Sequence, residues 1–94
     1  MKALDENTVQ NELQKLPAWQ RKGLGIEREL QFPSFMAAIA FVDRLAVEAE
    51  RADHHPDILI RYNKVLVSMW THDANGLTLR DFGLAARCNE LSGL

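Results

Sequence analysis

Apolar residues recur at helical spacing in three segments of the chain, near its beginning, in its middle and at its end. The predicted helices cover about residues 6–15, 35–51 and 79–91. A residue able to cap the first turn precedes each one: Asp5, Ser34, and Thr78, which has Asp81 at capping-box spacing. Pro17 ends the first helical pattern. The second helix is defined by the apolar positions Phe35, Met36, Ile39, Val42 and Ala46.

Apolar and polar residues alternate in most of the segments between these helices, as in strands with one buried face. The predicted strands cover about residues 19–22, 24–32, 58–62 and 65–72. In the second strand, Leu24 and Phe32 lie on the apolar face, which only Arg28 interrupts. Turns are expected at residues 23–25 and at residues 63–64, so the strands form two hairpins.

The resulting order of elements, α-β-β-α-β-β-α, predicts an α+β fold. Two hairpins separated by a helix favour a four-stranded, mainly antiparallel sheet with three helices packed on one face. Residues 1–94 form a single domain in this interpretation. A helix-free sheet face or an unpaired edge strand promotes self-association, so a homo-oligomer, either a dimer or a tetramer, is expected.

Composition and charge narrow the classes of function. Eleven basic and 13 acidic residues give a net charge of -2, and the scattered basic residues argue against direct nucleic-acid binding. The longest apolar run, residues 35–42, is too short to span a bilayer, and the first residues lack the apolar core of a signal peptide. Cys88 is the single cysteine, which excludes an internal disulfide and fits a reducing compartment. We therefore expect a cytoplasmic protein without membrane contact.

The histidines and their neighbours are the most informative residues of the chain. All three histidines lie in its second half, accompanied by a proline and two carboxylates: Glu50, His54, His55, Pro56, His72 and Asp81. Histidine exchanges protons near neutral pH, and nearby carboxylates orient its ring, so the cluster predicts proton transfer. The simpler alternative is that the histidines are ordinary surface residues and that Asp81 only caps the third helix.

Other chemistries find less support in the sequence. Three histidines can hold zinc, but adjacent histidines rarely bind one ion together, so no metal is expected. Cys88 has the spacing of a core residue, and neither Ser34 nor Ser68 has a visible base partner. Residues 23–25 lack the third glycine and the following helix of a phosphate-binding loop, so no nucleotide cofactor is predicted. Proton transfer on a small organic molecule remains, such as elimination, hydration or tautomerisation.

The spacing of the cluster resembles the motif of one family. Glu50 is followed after three residues by His54-His55-Pro56, after five more by Tyr62, after nine by His72 and after eight by Asp81. Together with the flanking Tyr62-Asn63-Lys64-Val65 and Thr71-His72-Asp73, this pattern is similar to that of the pterin-4a-carbinolamine dehydratases. The resemblance covers about residues 4–91.

The resemblance implies a hydro-lyase that dehydrates 4a-hydroxytetrahydropterin to quinonoid dihydropterin, recycling the pterin cofactor of aromatic amino-acid hydroxylases. It implies that the catalytic residues are His54, His55, His72 and Asp81. It implies substrate contacts from Glu50, Asp53, Pro56, Thr71, Asp73 and Ala74. Ile58 stands where some members carry tryptophan, so an aromatic wall for the pterin ring is expected to be missing there.

The resemblance also bears on partners. It implies a small-molecule pterin substrate, a homo-oligomer and, as a candidate protein partner, phenylalanine hydroxylase. Some animal relatives serve as dimerisation cofactors for a homeodomain transcription factor. The alternative function is therefore a protein-binding module, or a regulator of a hydroxylase or transcription factor. The complete histidine set favours the enzyme, because a scaffold would have no use for it.

Overall fold

The computed structural model describes all 94 residues, and its elements follow the predicted order. The elements are α1 (Glu6–Gln14), β1 (Gln20–Lys22), β2 (Gly25–Gln31), α2 (Phe35–Ala52), β3 (Asp57–Arg61), β4 (Lys64–Met69), a short 3-10 turn (His72–Ala74) and α3 (Leu79–Ser92). The predicted α+β fold is confirmed. None of the helices is both long and apolar enough to cross a membrane.

Each helix begins where a polar side chain pairs with backbone amides of its first turn, which otherwise lack partners. Asp5 and Ser34 each accept a hydrogen bond from the amide three residues further on, at 2.8 and 3.1 Å. Thr78 and Asp81 form the predicted capping box at the start of α3. All three predicted caps are therefore present.

The four strands pair antiparallel in the order β1-β2-β4-β3, so β4 is interior and β3 is an edge strand. Val65, Val67 and Met69 alternate along β4, and all three are buried. These side chains share one core with residues of all three helices. The helices thus cover one face of the sheet, as predicted.

Arg28, which was expected to interrupt the apolar face of β2, is half-buried and has a partner. Its guanidinium donates to the side-chain oxygen of Asn89 at 2.6 Å. The same oxygen accepts the indole N–H of Trp19 at 2.9 Å. A charged side chain can enter this region because the side-chain oxygen of Asn89 accepts from both the guanidinium and the indole. No buried side-chain polar atom of the molecule is left without a partner.

Two apolar stripes run along α2, and only one of them faces the core. The buried residues of this helix are Ala38, Phe41, Leu45 and Ala49. Among the positions that predict the helix, Phe35 and Met36 are 45% and 70% exposed. The periodicity predicts the helix correctly, but much of the stripe that reveals it lies at the surface.

The second hairpin turns one residue earlier than predicted. Arg61 pairs with Lys64, so the loop consists of Tyr62 and Asn63, and Tyr62 does not belong to the strand. Tyr62 has a φ of 52°, in the left-handed region. The side chain of Asn63 donates to the carbonyl of Phe32 at 2.8 Å. This contact with a distant residue helps to fix the turn, and alternation along the strand does not encode it.

The first hairpin also differs in detail from the prediction. Leu24 lies in the turn before β2 rather than on its apolar face, and it is 47% exposed. β2 begins at Gly25, where any side chain would collide with the carbonyl oxygen of Met69 on β4. The absence of a side chain at Gly25 therefore lets these two backbones approach closely.

Candidate active site

The histidine pair follows a tight turn at the end of α2. Asp53 adopts a left-handed conformation, with φ 51° and ψ 44°, and terminates the helix. The amide of His54 then donates back to the carbonyl of Ala49 at 3.0 Å. The turn separates the two imidazoles, because His54 is only 8% exposed while His55 is largely in solvent.

Arg80, in the first turn of α3, holds this turn in place. Its guanidinium donates to the carbonyl oxygens of Asp53 and Ala52, at 2.5 and 3.4 Å. These carbonyls lie at the end of α2, where a cation interacts favourably with the helix dipole. The contact joins the end of α2 to the beginning of α3. His54 follows directly after the first of these helix ends, and Asp81 lies in the first turn of the second.

A buried hydrogen-bond network surrounds the carboxylate of Asp81, which is 0% exposed. One oxygen lies 2.6 Å from Nε2 of His54. The other accepts the hydroxyl of Thr71 at 2.7 Å and the amide of Thr78 at 2.9 Å. A carboxylate only accepts hydrogen bonds, so Nε2 of His54 carries the proton of this contact. Asp81 thereby fixes both the orientation and the tautomer of His54.

The direction of the hydroxyl hydrogen bonds follows from proton counting. Thr71 has one hydroxyl proton, which it donates to Asp81. The hydroxyl of Thr78, 2.8 Å from that of Thr71, must therefore be the donor between the two. Each threonine thus supports the carboxylate, Thr71 directly and Thr78 through its backbone amide and through Thr71.

His55 has a separate carboxylate partner. Its Nε2 lies 2.7 Å from a carboxylate oxygen of Glu50, in the last turn of α2. The two side chains are 60% and 81% exposed, so solvent screens the pair and it contributes little to stability. Its effect is to orient the imidazole.

His72 is held by stacking. The prediction placed His72 at the end of the fourth strand, but β4 ends at Met69 and His72 begins the 3-10 turn that follows. Its ring lies against the indole of Trp70, with centroids 4.1 Å apart and an interplanar angle of 25°. No side chain or backbone group hydrogen-bonds to its imidazole nitrogens. They are therefore available to a ligand.

The three histidines line one cleft of about 400 Å³, a volume typical of small-molecule sites. The lining residues are Asp53, His54, His55, Pro56, Asp57, Trp70, Thr71, His72, Asp73 and Arg80. Of the predicted substrate contacts, Glu50 and Ala74 are not in the lining. Glu50 reaches the cleft through His55, and Asp81 reaches it through His54.

A larger and more apolar groove of about 790 Å³ lies beside this cleft, between α2 and β3. The two share His55 and Pro56, but the groove contains neither His54 nor His72. Ile58 lines the groove and is absent from the cleft. Because all three histidines line the smaller cleft, this cleft is the candidate active site. The residue at position 58 lies outside it and does not decide whether the cleft has an aromatic wall.

Metal binding and thiol chemistry have no support in the geometry. No group of three or more His, Cys, Asp or Glu side chains is arranged to hold a metal ion. Cys88 is fully buried in α3, and burial raises the pKa of its thiol to about 12, so it is not a nucleophile at neutral pH.

Three lining residues were not predicted: Asp57, Trp70 and Arg80. The sequence held a signal for Trp70, because alternation places it on the same face as His72, two residues later. Asp57 directly follows Pro56, and Arg80 directly precedes Asp81. These two positions carry no spacing signal of their own.

Residues 2–91 match the sequence model of the family described as Pterin 4 alpha carbinolamine dehydratase. The chain belongs to this family. The resemblance drawn from the histidine motif is thereby confirmed.

Relatives within this dehydratase family match nearly the whole chain. One from Acidobacterium capsulatum, provisionally named pterin-4-alpha-carbinolamine dehydratase, is 50% identical over 91 residues, covering 97% of this chain and 99% of its own. One from Nocardia farcinica with the same provisional name is 51% identical over 89 residues, covering 95% and 94%.

Solved structures of dehydratase-like proteins share the fold. A crystal structure described as a transcriptional coactivator/pterin dehydratase from Brucella melitensis has a TM-score of 0.95 at 34% identity, covering 98% of this chain and 100% of that one. A pterin dehydratase-like protein described as a RuBisCO assembly factor in the alpha-carboxysome has a TM-score of 0.67 at 25% identity, covering 80% and 87%. These descriptions attach different roles to one fold, so the function must be argued from the site.

Proposed function

We propose that this protein dehydrates 4a-hydroxytetrahydropterins to quinonoid dihydropterins by histidine acid-base catalysis. The observation that carries the proposal is the meeting of all three histidines in one small cleft of a pterin dehydratase family member. Residues 18 positions apart in the chain converge there, although His54 and His55 follow a helix and His72 follows a strand.

The reaction needs only proton transfer. The C4a–O bond breaks, and the hydroxyl leaves as water after taking a proton from a general acid. The proton on N5 passes to a general base, and its electron pair forms the C4a=N5 double bond. No oxidant, metal or covalent intermediate is required, so imidazoles suffice.

The hydrogen bonds of the site support a division of roles. Asp81 keeps the proton of His54 on Nε2, which leaves Nδ1 of the neutral ring able to accept a proton. We assign His54 as the acceptor of the N5 proton. His72, whose nitrogens have no protein partner, is the donor to the leaving hydroxyl. His55, paired with Glu50, orients the substrate at the rim.

The acidic residues of the cleft suit the other end of a pterin. The pyrimidine ring of the substrate presents an amino group and ring N–H donors. Asp53, Asp57 and Asp73 line the cleft and offer carboxylate acceptors. We therefore assign Asp53 and Asp73, with Asp57 added, to recognition of that ring.

Stopped-flow measurement of carbinolamine decay tests the proposal. His55→Ala and His72→Ala should remain folded, because both residues are exposed. Loss of a single acid-base group typically costs about a hundred- to ten-thousandfold in rate, so His72→Ala should fall in this range and His55→Ala should also lose most turnover. Gln14→Ala, an exposed position on α1, is the matched control. Near-normal rates in both histidine variants would refute the site assignment.

The physiological role proposed is recycling of the pterin cofactor of an aromatic amino-acid hydroxylase in the cytoplasm. Phenylalanine hydroxylase is the proposed client. Adding this protein to the hydroxylase at limiting tetrahydropterin, with a two-electron reductant that returns quinonoid dihydropterin to tetrahydropterin, should raise the steady rate of tyrosine formation. The His72→Ala variant should not raise it, and equal stimulation by both proteins would indicate binding rather than dehydration.

We also propose that the protein is a homo-oligomer. The exposed stripe of α2 includes Phe35, Met36 and Val47, and the edge strand β3 exposes Leu59. Apolar side chains on a helix face and an unpaired strand edge both favour association. Light scattering at micromolar concentration should give a dimer or tetramer mass, and the mass of one chain would contradict the proposal.

The same stripe supports the second candidate function, a protein-binding module that acts as a dimerisation cofactor or regulator. The Brucella structure is described as a coactivator as well as a dehydratase. Capture of a transcription factor or hydroxylase by a protein that shows no dehydratase turnover would favour this function over the first.

A further inference from the structure

Trp70 holds a position between two cavities. It lines the three-histidine cleft and also a neighbouring cavity of about 320 Å³ bounded by β1, β2 and β4. Asp57 is the other residue common to both. The indole therefore forms part of the partition between the two spaces, and it stands directly beside His72.

We propose that Trp70 is a positioning residue that fixes the His72 imidazole for proton transfer. The inference rests on the dehydratase function proposed above. A centroid separation of 4.1 Å with 25° between the planes is a stacked contact, and stacking on an indole restricts rotation of the imidazole. His72 has no hydrogen-bond partner in the protein, so this contact takes the place that a carboxylate has for the other two histidines.

The backbone between the two rings is held firmly. Thr71 separates them, and its amide and carbonyl pair with Gly76 at 2.9 and 3.3 Å. Its side chain points into the core and donates to Asp81. Because side chains alternate in extended backbone, anchoring Thr71 inward directs Trp70 and His72 to the same outer side.

Trp70 itself has little freedom to shift. It directly follows Met69, which ends β4 and pairs with Ile26 of β2. A Cβ atom at Gly25 would lie 3.2 Å from Cβ of Trp70, so the two strands approach closely at this point. The backbone that carries the indole is thus held in place, and the indole offers a ring face against which the exposed His72 ring is aligned.

A double-mutant cycle tests whether Trp70 acts through His72. Trp70→Leu keeps apolar bulk but removes the ring face, and Trp70→Phe keeps a ring. A misplacement of about 1 Å can cost about a hundredfold, so Trp70→Leu should lower kcat roughly ten- to hundredfold with a smaller change in KM. Trp70→Phe should recover most of this loss. In the His72→Gln background, Trp70→Leu should change kcat less than about twofold, because the group that it positions is gone.

A spectroscopic measurement supplies a readout independent of turnover. An indole stacked on an imidazole shields its ring protons, so the proton NMR signals of His72 should lie upfield in wild type and move downfield in Trp70→Leu. The signals are assigned by their loss in His72→Gln. Trp19→Phe, which changes the other tryptophan, is the control and should leave them in place.

The outcomes separate the two proposals. An inactive wild-type protein would overturn the dehydratase function, whatever the NMR signals show. An active wild type in which the Trp70→Leu and His72→Gln losses multiply would overturn the positioning role alone. Unshifted His72 signals in Trp70→Leu would also overturn it, because the stack would then not exist in solution.

Discussion

Thr71→Val probes the buried network most directly, because valine has nearly the shape of threonine but no hydroxyl. In the folded protein this hydroxyl donates to Asp81 at 2.7 Å and accepts from Thr78 at 2.8 Å. Thr71 is 3% exposed and Asp81 is 0% exposed, so water cannot replace the missing donor. The substitution therefore leaves one carboxylate oxygen with a single partner, the Thr78 amide.

The expected loss follows from the charge and burial of this acceptor. A hydrogen bond to a charged group contributes about 1.5–3 kcal/mol, and only the Asp81 contact is counted here, although the Thr78 hydroxyl also loses its acceptor. For a domain of this size each kcal/mol lowers Tm by about 4–8 °C. Thr71→Val should therefore melt about 6–24 °C below wild type.

Thermal unfolding followed by circular dichroism measures the change in Tm, and urea unfolding measures the free energy, with Thr71→Ser as the matched control. Serine keeps the hydroxyl and gives up one methyl group, which costs about 0.8 kcal/mol. Thr71→Val should have the lower midpoint of the two, with an unchanged slope. A Thr71→Val midpoint equal to that of wild type would show that the hydroxyl contributes nothing, and the assignment of Thr71 as a support of Asp81 would be wrong.

Three further predictions concern other parts of the molecule. The Thr8 amide lowers the pKa of Asp5, so the stabilisation by this cap is present above the unfolded pKa and lost as pH falls through the lower folded value. The difference in Tm between wild type and Asp5→Ala should thus be largest at neutral pH and shrink as the pH falls below the unfolded pKa, and a constant difference would contradict this. Burial raises the pKa of Cys88 to about 12, so a thiol reagent at mildly alkaline pH should label it only after unfolding, whereas rapid labelling of native protein would contradict the buried placement. Arg80→Ala releases the carbonyl of Asp53 and should lower dehydratase kcat by roughly tenfold or more, and unchanged kinetics would remove Arg80 from the support of the site.

Much of the fold could be predicted because its signals are local. Helix periodicity, the caps at Asp5, Ser34 and Thr78, and strand alternation each depend on residues within a few positions of one another. The position of the second turn could not be predicted this way. It involves a contact between Asn63 and Phe32, which are 31 residues apart.

The candidate site, too, could be predicted only where the signals are local. The motif identified the three histidines, and the structure brings them to one cleft, although their catalytic roles stay a prediction. No residue pattern indicates that Ile58 faces the neighbouring groove rather than the cleft. The position of Ile58 depends on which face of the edge strand β3 packs against α2, and this is settled only when the sheet and the helices pack together. Alternation along the chain predicts that Trp70 and His72 lie on the same face. The stacking of their rings follows only from the distance between them in the structure.

The double role of Asp81 changes what this residue can reveal about distant members of the family. One carboxylate both starts α3 and holds His54, so a chain that abandoned catalysis would still need it to fold. Its presence in a homologue is therefore no sign of enzymatic activity. The informative positions are those of His55 and His72, which lie in solvent and add little to folding, so only selection for chemistry would keep imidazoles there.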